Sequence, residues 1–287
     1  MIGAIIGDVV GSIYEFNNHK SKEFKLFQKE SKFTDDTVMT VAIADFVLCD
    51  HGNPGQPRLI SYLYKWYKLY PNESYGEKFS QWIKQFDKIS FVDYKPYNSF
   101  GNGSAMRISP VADAMGNPAS CMRNAKFVTE VSHNHPEGVR GAQAVAGLIL
   151  LSRTEKDKAK LRQYILKDFG YDLISKTVDE LRETYEYNET CQRTVPEAII
   201  CFLESTDFED AIRNAISIGG DSDTLAAITG SIAEAYYQEI PKWILEETIK
   251  RLPKDIRAVL KEFYEEVYSN YPKIAKVVSE LTTGNAK

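Results

Sequence analysis

The chain has 287 residues, 43% of them hydrophobic and 26% charged, which is ordinary for a globular protein with a sizeable core. Its net charge of −5, with acidic and basic residues mixed throughout, does not favour non-specific binding to nucleic acid. No stretch approaches the roughly 18 consecutive apolar residues of a membrane span, and no signal peptide is recognised. The four cysteines are dispersed, which predicts reduced thiols in the cytoplasm rather than disulfides or a zinc site.

Apolar residues recur at intervals of three and four along most of the chain, and strand-like alternation is scarce. This spacing predicts helices over residues 3–14, 37–49, 57–69, 75–87, 119–130, 138–152, 156–167, 172–183, 195–204, 207–216, 223–237, 241–251 and 255–268. Irregular segments are expected over 16–33, 50–56, 88–104, 131–137 and 184–194, and a frayed tail over 282–287. With no repeat or linker, the sequence predicts one all-α domain over residues 1–287.

The first predicted helix carries three glycines four residues apart, Gly3, Gly7 and Gly11. Glycines at this spacing let another helix or a ligand approach the backbone closely. A dinucleotide fingerprint is excluded because GxGxxG after a strand is absent. Glu15 follows this helix at the start of a polar segment, where a glutamate is usually solvated.

Two acidic clusters, TDDT at 34–37 and GGDSDT at 219–224, each run into an apolar helical pattern. Carboxylates packed this closely repel one another unless a cation lies among them, and helix capping explains only one Asp at each place. An EF-hand is excluded because an apolar helix follows the second cluster. The side-chain oxygens suit a pair of Mg²⁺ or Mn²⁺ ions. The donors are Thr34, Asp35, Asp36, Asp221, Asp223 and Thr224.

Between the clusters, the run GNGS at 101–104 offers many backbone N–H groups and precedes an expected helix, a layout suited to phosphate or ribose. Arg107 is a candidate phosphate ligand, but the favoured interpretation is a structural ion pair with the acidic cluster. His133 and His135 lack the third ligand of a zinc site. His133 either donates a hydrogen bond to a ligand, which is preferred, or caps the helix at Gly138.

Taken together, these segments resemble the ADP-ribosylglycohydrolase family. The matching segments, in the family's order, are GAIIGDVVGSIYEF at 3–16, FTDDT at 33–37, NSFGNGSAMRISP at 98–110, SHNHPEGVRGAQAVA at 132–146 and GGDSDTLAAITGSIAEA at 219–235. The pair TDDT and GGDxDT is the most specific part of the match. The resemblance implies a compact all-α fold, an orthogonal multi-helix bundle with two Mg²⁺ ions, or alternatively Mn²⁺, in a central binuclear site held by the six donors named above.

The resemblance also implies hydrolysis of the N- or O-glycosidic bond between ADP-ribose and an acceptor, most commonly arginine, on a protein or small molecule. The metals would hold the ribose hydroxyls and activate water. The expected catalytic residues are Glu15, Asp35 and Asp36. The expected substrate-binding residues are Ser99, Gly101, Asn102, Gly103, Ser104, Met106 and His133. The segment from Glu15 to Thr34 is short for a serine-type hydrolase and leaves the acceptor open.

Two other functions fit the same residues. One is a protein that binds ADP-ribose without turnover, and the other is a two-metal phosphohydrolase acting on nucleotide diphosphates. Retention of all six oxygen donors favours an enzyme over a binding protein. Released ADP-ribose would indicate a glycohydrolase and released AMP a phosphohydrolase. A monomer is the expected state.

Overall fold

The computed structural model describes residues 1–49, 55–267 and 269–283. Over these ranges it contains α-helices and two 3₁₀ turns but no β-strand, which confirms the predicted all-α class. The helices are α1 (Ile2–Gly11), α2 (Asp35–Cys49), α3 (Gln56–Leu69), α4 (Glu77–Lys84), α5 (Gly103–Met106), α6 (Ser109–Ala114), α7 (Pro118–Thr129), α8 (Pro136–Ser152), α9 (Lys158–Phe169), α10 (Val178–Thr184), α11 (Cys191–Leu203), α12 (Phe208–Ser217), α13 (Ser222–Tyr237), α14 (Lys242–Lys250), α15 (Lys254–Glu266) and α16 (Pro272–Thr283). One continuous cluster of buried apolar residues extends from α1 to α16.

Helices α1 and α13 pack together at the centre with their backbones in contact. A Cβ atom added to Gly7 would lie 2.1 Å from the carbonyl oxygen of Ala226, and one added to Gly230 would lie 2.2 Å from that of Gly3. The glycine spacing therefore admits a helix rather than a ligand. Because a Cβ on Gly11 would lie 2.4 Å from Cα of Asp223, α1 also ends against the start of α13. This contact brings the first segment of the chain to the second acidic cluster.

A buried charge cluster joins α1 to the C-terminal helices. The α-amino group of Met1 forms ion pairs with Asp113 at 2.5 Å and Glu234 at 2.9 Å. The hydroxyl of Tyr271 donates to Asp113 at 2.5 Å, and that of Tyr264 donates to Glu234. Buried charges are tolerated when each has such partners. The cluster therefore fixes α15 and the start of α16 against α1 and α13.

Most predicted helices are confirmed within two residues at both ends, including α2, α3, α8, α12, α13 and α14. The first helix ends at Gly11 rather than at residue 14. The helix predicted over 172–183 begins only at Val178, because the Asp172 carboxylate accepts from two following amides in a turn and Thr177 starts α10 with a capping box. Residues 50–54 of one predicted irregular segment, and Tyr268 at the end of a predicted helix, lie outside the described residues.

Helices α6 and α16 were not predicted, and α5 begins at Gly103, inside the run that was expected to precede a helix. Helix α16 buries Ile274, Ala275 and Val278 at helical spacing against the C-terminal part of the fold. The expected frayed tail was therefore wrong for Thr282 and Thr283, which end this helix, while residues 284–287 lie outside the described ones.

The four cysteines are free thiols. Within the described ranges, no helix combines the length and apolar character that crossing a bilayer requires.

Candidate active site

The two acidic clusters, nearly two hundred residues apart in sequence, meet where α2 and α13 begin. The hydroxyl of Thr224 donates to Asp36 Oδ2 at 3.2 Å, and that of Thr34 lies 3.5 Å from Asp223 Oδ2. Both helices carry an aspartate in the first turn, Asp35 and Asp36 in α2 and Asp223 in α13, and the amide dipoles of a helix N-terminus favour such anions. The structure therefore brings together the six oxygen donors that the sequence placed in two separate motifs.

Glu15 joins this group from the segment after α1. One carboxylate oxygen from each of Glu15, Asp221 and Asp223 lies within 4.8 Å of the others. The family resemblance implied a catalytic role for Glu15 and not metal ligation, whereas its place in the sequence alone suggested a solvated side chain. Its position makes it a candidate for either role.

The carboxylates line a cleft of about 390 Å³. Its walls come from segments 74–79, 97–103 and 187–190, together with Met106, Arg107 and His133. The backbones of two of these segments are joined by an isolated bridge, in which Asn102 N donates to Glu189 O at 2.8 Å and Cys191 N to Phe100 O at 3.0 Å. The cleft therefore has acidic groups at its base and mixed polar and aromatic walls.

The carboxylates have raised pKa values because they are buried and lie close to one another. Burial, reinforced by neighbouring carboxylates, holds the pKa of Asp35, Asp36 and Asp223 well above the usual range. Burial, with the charges of Asp221 and Asp8, raises the pKa of Glu15 to about 7. Such a cluster is stable as anions only when positive charge is supplied.

The donor set fits divalent cations. In the described part of the chain, no lysine, arginine or histidine forms an ion pair with any of these carboxylates. Asp36 Oδ1 is buried and has no hydrogen-bond partner there. The available donors are all carboxylate and hydroxyl oxygens, which hard cations such as Mg²⁺ prefer. A buried carboxylate oxygen without a hydrogen-bond partner, inside an acidic cluster, is available to ligate such a cation.

Asp8 is a residue of the site that the sequence reasoning missed. It is buried on α1 and accepts hydrogen bonds from Thr34 N at 2.9 Å, Thr34 Oγ1 at 2.7 Å and Thr37 N at 3.0 Å, and from the Thr37 hydroxyl. Burial raises the pKa of Asp8 to about 6. Asp8 therefore fixes the turn that presents Asp35 and Asp36. Its signal in the sequence was a lone carboxylate within an otherwise apolar helix.

Asn18 attaches the Glu15 segment to the second acidic cluster. Its Nδ2 lies 2.8 Å from Tyr14 O, 3.0 Å from Glu15 O and 3.0 Å from Gly220 O, while Gly220 N donates to Asn18 Oδ1 at 2.8 Å. Gly220 has a φ of +78°, which favours glycine at this turn. Lys20 adds hydrogen bonds to the carbonyls of residues 185 and 218. These contacts hold Glu15 beside Asp221.

Most of the predicted substrate-binding residues line the cleft, namely Ser99, Gly101, Asn102, Gly103, Met106 and His133. Ser104 does not line it, because its hydroxyl is buried and donates to Gly138 O at 3.0 Å. Thr34 is also set back, with its hydroxyl donating to Asp8. Asn102 donates its amide to Asp221 Oδ2 at 2.7 Å, so the glycine-rich segment and the second acidic cluster are directly linked.

The favoured interpretation of Arg107 was wrong. Its guanidinium forms no ion pair with the acidic cluster; it donates to Ser132 Oγ at 2.8 Å and lies over the ring of Phe79. Burial lowers the pKa of Arg107 to about 10, which still leaves it cationic at neutral pH. Because it lines the cleft, its charge is directed toward whatever occupies that space.

His133 also lines the cleft, and the alternative role as a helix cap was wrong. The side chain of His135 caps α8 by accepting from Glu137 N. His133 Nδ1 lies 2.8 Å from Ser132 Oγ, which leaves Nε2 toward the glycine-rich segment, 3.1 Å from the place of a Cβ on Gly103. Burial holds the pKa of His133 well below its usual value, so the ring is neutral.

The chain is similar to known proteins over most of its length. A family model described as ADP-ribosylglycohydrolase matches residues 1–273. A protein of Acanthamoeba polyphaga mimivirus, named as an ADP-ribosyl glycohydrolase, is 27% identical over 95% of this chain and 93% of its own. ADP-ribosylhydrolase ARH3 of Mus musculus is 26% identical over 84% of each chain. ADP-ribosylarginine hydrolase Tri1 of Pseudomonas putida is 25% identical over 85% of this chain and 72% of its own.

A solved structure described as an ADP-ribosylglycohydrolase-related protein complex has the same fold, with a TM-score of 0.68 and 20% identity over 93% of this chain and 95% of the other. The family match extends over nearly the whole chain and includes both acidic clusters and the cleft. On these grounds the chain belongs to the ADP-ribosylglycohydrolase family and is an enzyme that hydrolyses ADP-ribose linkages.

Proposed function

We propose that this enzyme carries out metal-dependent hydrolysis of the bond between ADP-ribose and an arginine acceptor, releasing ADP-ribose and reversing ADP-ribosylation. The observation that carries the proposal is the convergence of two aspartate pairs and Glu15 at the base of one cleft, where none of them forms an ion pair with a basic side chain in the salt bridges of the described residues. The name of the Pseudomonas putida relative, an ADP-ribosylarginine hydrolase, supports arginine as the acceptor.

Thr34, Asp35, Asp36, Asp221, Asp223 and Thr224 would hold two Mg²⁺ ions, with Mn²⁺ as the alternative. When bound, such ions supply the positive charge that binds ribose hydroxyls and lowers the pKa of water. Asp8 and Asn102 would orient this ligand set through their hydrogen bonds to Thr34 and Asp221.

The remaining side chains would act on the reacting bond and on the ADP group. Glu15 lies beside Asp221, where its carboxylate can act as an acid or base on the reacting bond. Asp35 or Asp36 would orient the attacking water. The carboxylates would also stabilise positive charge developing on the ribose in an oxocarbenium-like transition state. Arg107 and the amides of the glycine-rich segment would bind the diphosphate.

The first experiment is incubation with matched arginine- and serine-ADP-ribosylated peptides, with and without Mg²⁺, followed by mass spectrometry. Metal-dependent release of ADP-ribose from the arginine peptide is expected. Release of AMP would instead indicate a phosphohydrolase, and bound ADP-ribose without release would indicate a binding protein. Release from the serine peptide alone would contradict arginine as the acceptor but would still support ADP-ribosyl hydrolysis.

Metal ligation is tested with Asp36→Ala and Asp221→Ala, and with Asp168→Ala as an exposed control on α9. Both ligand variants should lose turnover and also lose Mg²⁺ or Mn²⁺ binding measured by calorimetry, whereas the control should keep both. More than about a tenth of the wild-type rate in either ligand variant would contradict the assignment, because loss of a metal ligand usually lowers the rate much further.

We further propose that the enzyme acts as a monomer in the cytoplasm, where its free thiols would stay reduced.

A further inference from the structure

One wall of the cleft carries a tyrosine and a glutamate that no part of the proposed chemistry uses. Tyr187 and Glu189 lie between α10 and α11 and line the cleft together with Glu15 and Asp221. The Tyr187 hydroxyl donates to Glu189 Oε1 at 2.8 Å. Burial and the nearby charge of Asp221 raise the pKa of Tyr187, so its hydroxyl stays protonated and continues to donate.

The position of this wall is fixed by the backbone. Glu189 O accepts from Asn102 N at 2.8 Å, and the neighbouring Thr190 hydroxyl donates to Asn188 Oδ1 at 2.6 Å. Asn102 in turn donates to Asp221. These bonds fix the backbone of Glu189 relative to the second acidic cluster, and its exposed side chain extends from that position.

Charge is distributed unevenly along the cleft. Its cationic residues, Lys78 and Arg107, lie on the same side of the cleft as Phe79 and His133. Phe79 follows Lys78 in the chain, and the Arg107 guanidinium lies over its ring. Burial, and secondly the charge of Arg107, lowers the pKa of His133. An anionic diphosphate would bind at that side. Two divalent cations would balance the four aspartates of the acidic clusters. The other carboxylates that line the cleft are Glu77, which adjoins Lys78 in the chain, and Glu15 and Glu189, which have no basic neighbour in the chain.

We propose that Glu189 and Tyr187 form the acceptor subsite and that this subsite takes a cationic, guanidinium-type leaving group. The inference rests on the proposed function, because it names the residues that would recognise its acceptor. Glu189 Oε2 can accept from guanidinium N–H groups, and the Tyr187 ring, 44% exposed, offers a flat face on which a guanidinium stacks. A serine acceptor has neither a positive charge for Glu189 nor a planar group that could stack on Tyr187. The two residues therefore favour an arginine acceptor over a serine acceptor.

The test compares wild type, Glu189→Gln and Tyr187→Leu on arginine- and serine-ADP-ribosylated peptides of matched sequence. Glu183→Gln is the control, an exposed glutamate in α10 that does not line the cleft. For the arginine peptide, kcat/KM should fall about tenfold in Glu189→Gln, the equivalent of one charge-assisted hydrogen bond. For the serine peptide, the change should stay below about twofold. Affinity for ADP-ribose, measured by calorimetry, should be unchanged in all variants.

An equal loss on both peptides, or no loss on the arginine peptide, would overturn the subsite. If wild type hydrolyses only the serine peptide, the inference of an arginine acceptor fails, while the proposed glycohydrolase activity is supported. If it hydrolyses neither, the proposed function fails, and the subsite is then judged by calorimetry with N-acetylarginine amide in the presence of ADP-ribose. Binding that Glu189→Gln weakens would support the subsite without turnover, and absence of binding to wild type would overturn it.

Discussion

Glu197 on α11 is a buried carboxylate whose replacement should stabilise the protein at alkaline pH. It is 6% exposed, its Oε1 lies 3.4 Å from Arg193 Nε, and its Oε2 has no hydrogen-bond partner in the described part of the chain. Burial raises the pKa of Glu197 from the usual 4.5 to about 7. Glu197→Gln keeps the size of the side chain and removes its charge.

The direction in which pH changes the free energy of unfolding depends on which protonation state of Glu197 the folded protein favours. Because the folded pKa is the higher one, Glu197 contributes stability that is full below pH 4.5 and is lost as the pH rises through about 7. The difference between about 7 and 4.5, at about 1.4 kcal/mol per pKa unit, corresponds to at most about 3.5 kcal/mol at pH 8.5. Glutamine does not incur this loss. We therefore expect Glu197→Gln to raise the free energy of unfolding by about 2 to 3 kcal/mol at pH 8.5 and by about 1 kcal/mol or less at pH 5.

The measurement is urea denaturation of wild type and Glu197→Gln at both pH values. Glu246→Gln is the control, because Glu246 forms an ion pair of the same i,i+4 spacing on the surface of α14. Its effect should be below about 0.5 kcal/mol at either pH. An equal effect of Glu197→Gln at pH 5 and pH 8.5, or destabilisation at pH 8.5, would refute the argument from burial.

Two further substitutions test the packing and the geometry of the site. Gly7→Ala places a Cβ 2.1 Å from Ala226 O, so it should lower the free energy of unfolding by about 2 kcal/mol or more, whereas Gly116→Ala, with open space around it, should be neutral in the same urea titration. Asn18→Ala removes the contacts that hold the Glu15 segment and should lower kcat about tenfold with unchanged thermal stability, while Asn17→Ala should leave kcat unaltered. A matching fall in melting temperature would mean that Asn18 acts on stability alone.

The fold class and the acidic character of the site could be predicted from the amino-acid sequence alone. The three- and four-residue spacing of apolar side chains is a local property, and α2, α8 and α13 follow it within two residues. The glycines of α1 predicted a close backbone contact, because only residues without a Cβ permit one. The two aspartate pairs could be recognised in the sequence because like charges packed closely together are costly without a cation.

Only the tertiary structure decided which residues complete the site. Asp8 is a single polar residue in an apolar helix until the fold places it under the turn of Thr34 and Thr37. Arg107 pairs with Ser132 rather than with an aspartate, and Glu189 reaches the cleft through a backbone bridge to Asn102. These contacts join positions far apart in the chain. Their geometry depends on how whole helices pack, and no local pattern of side chains contains that information.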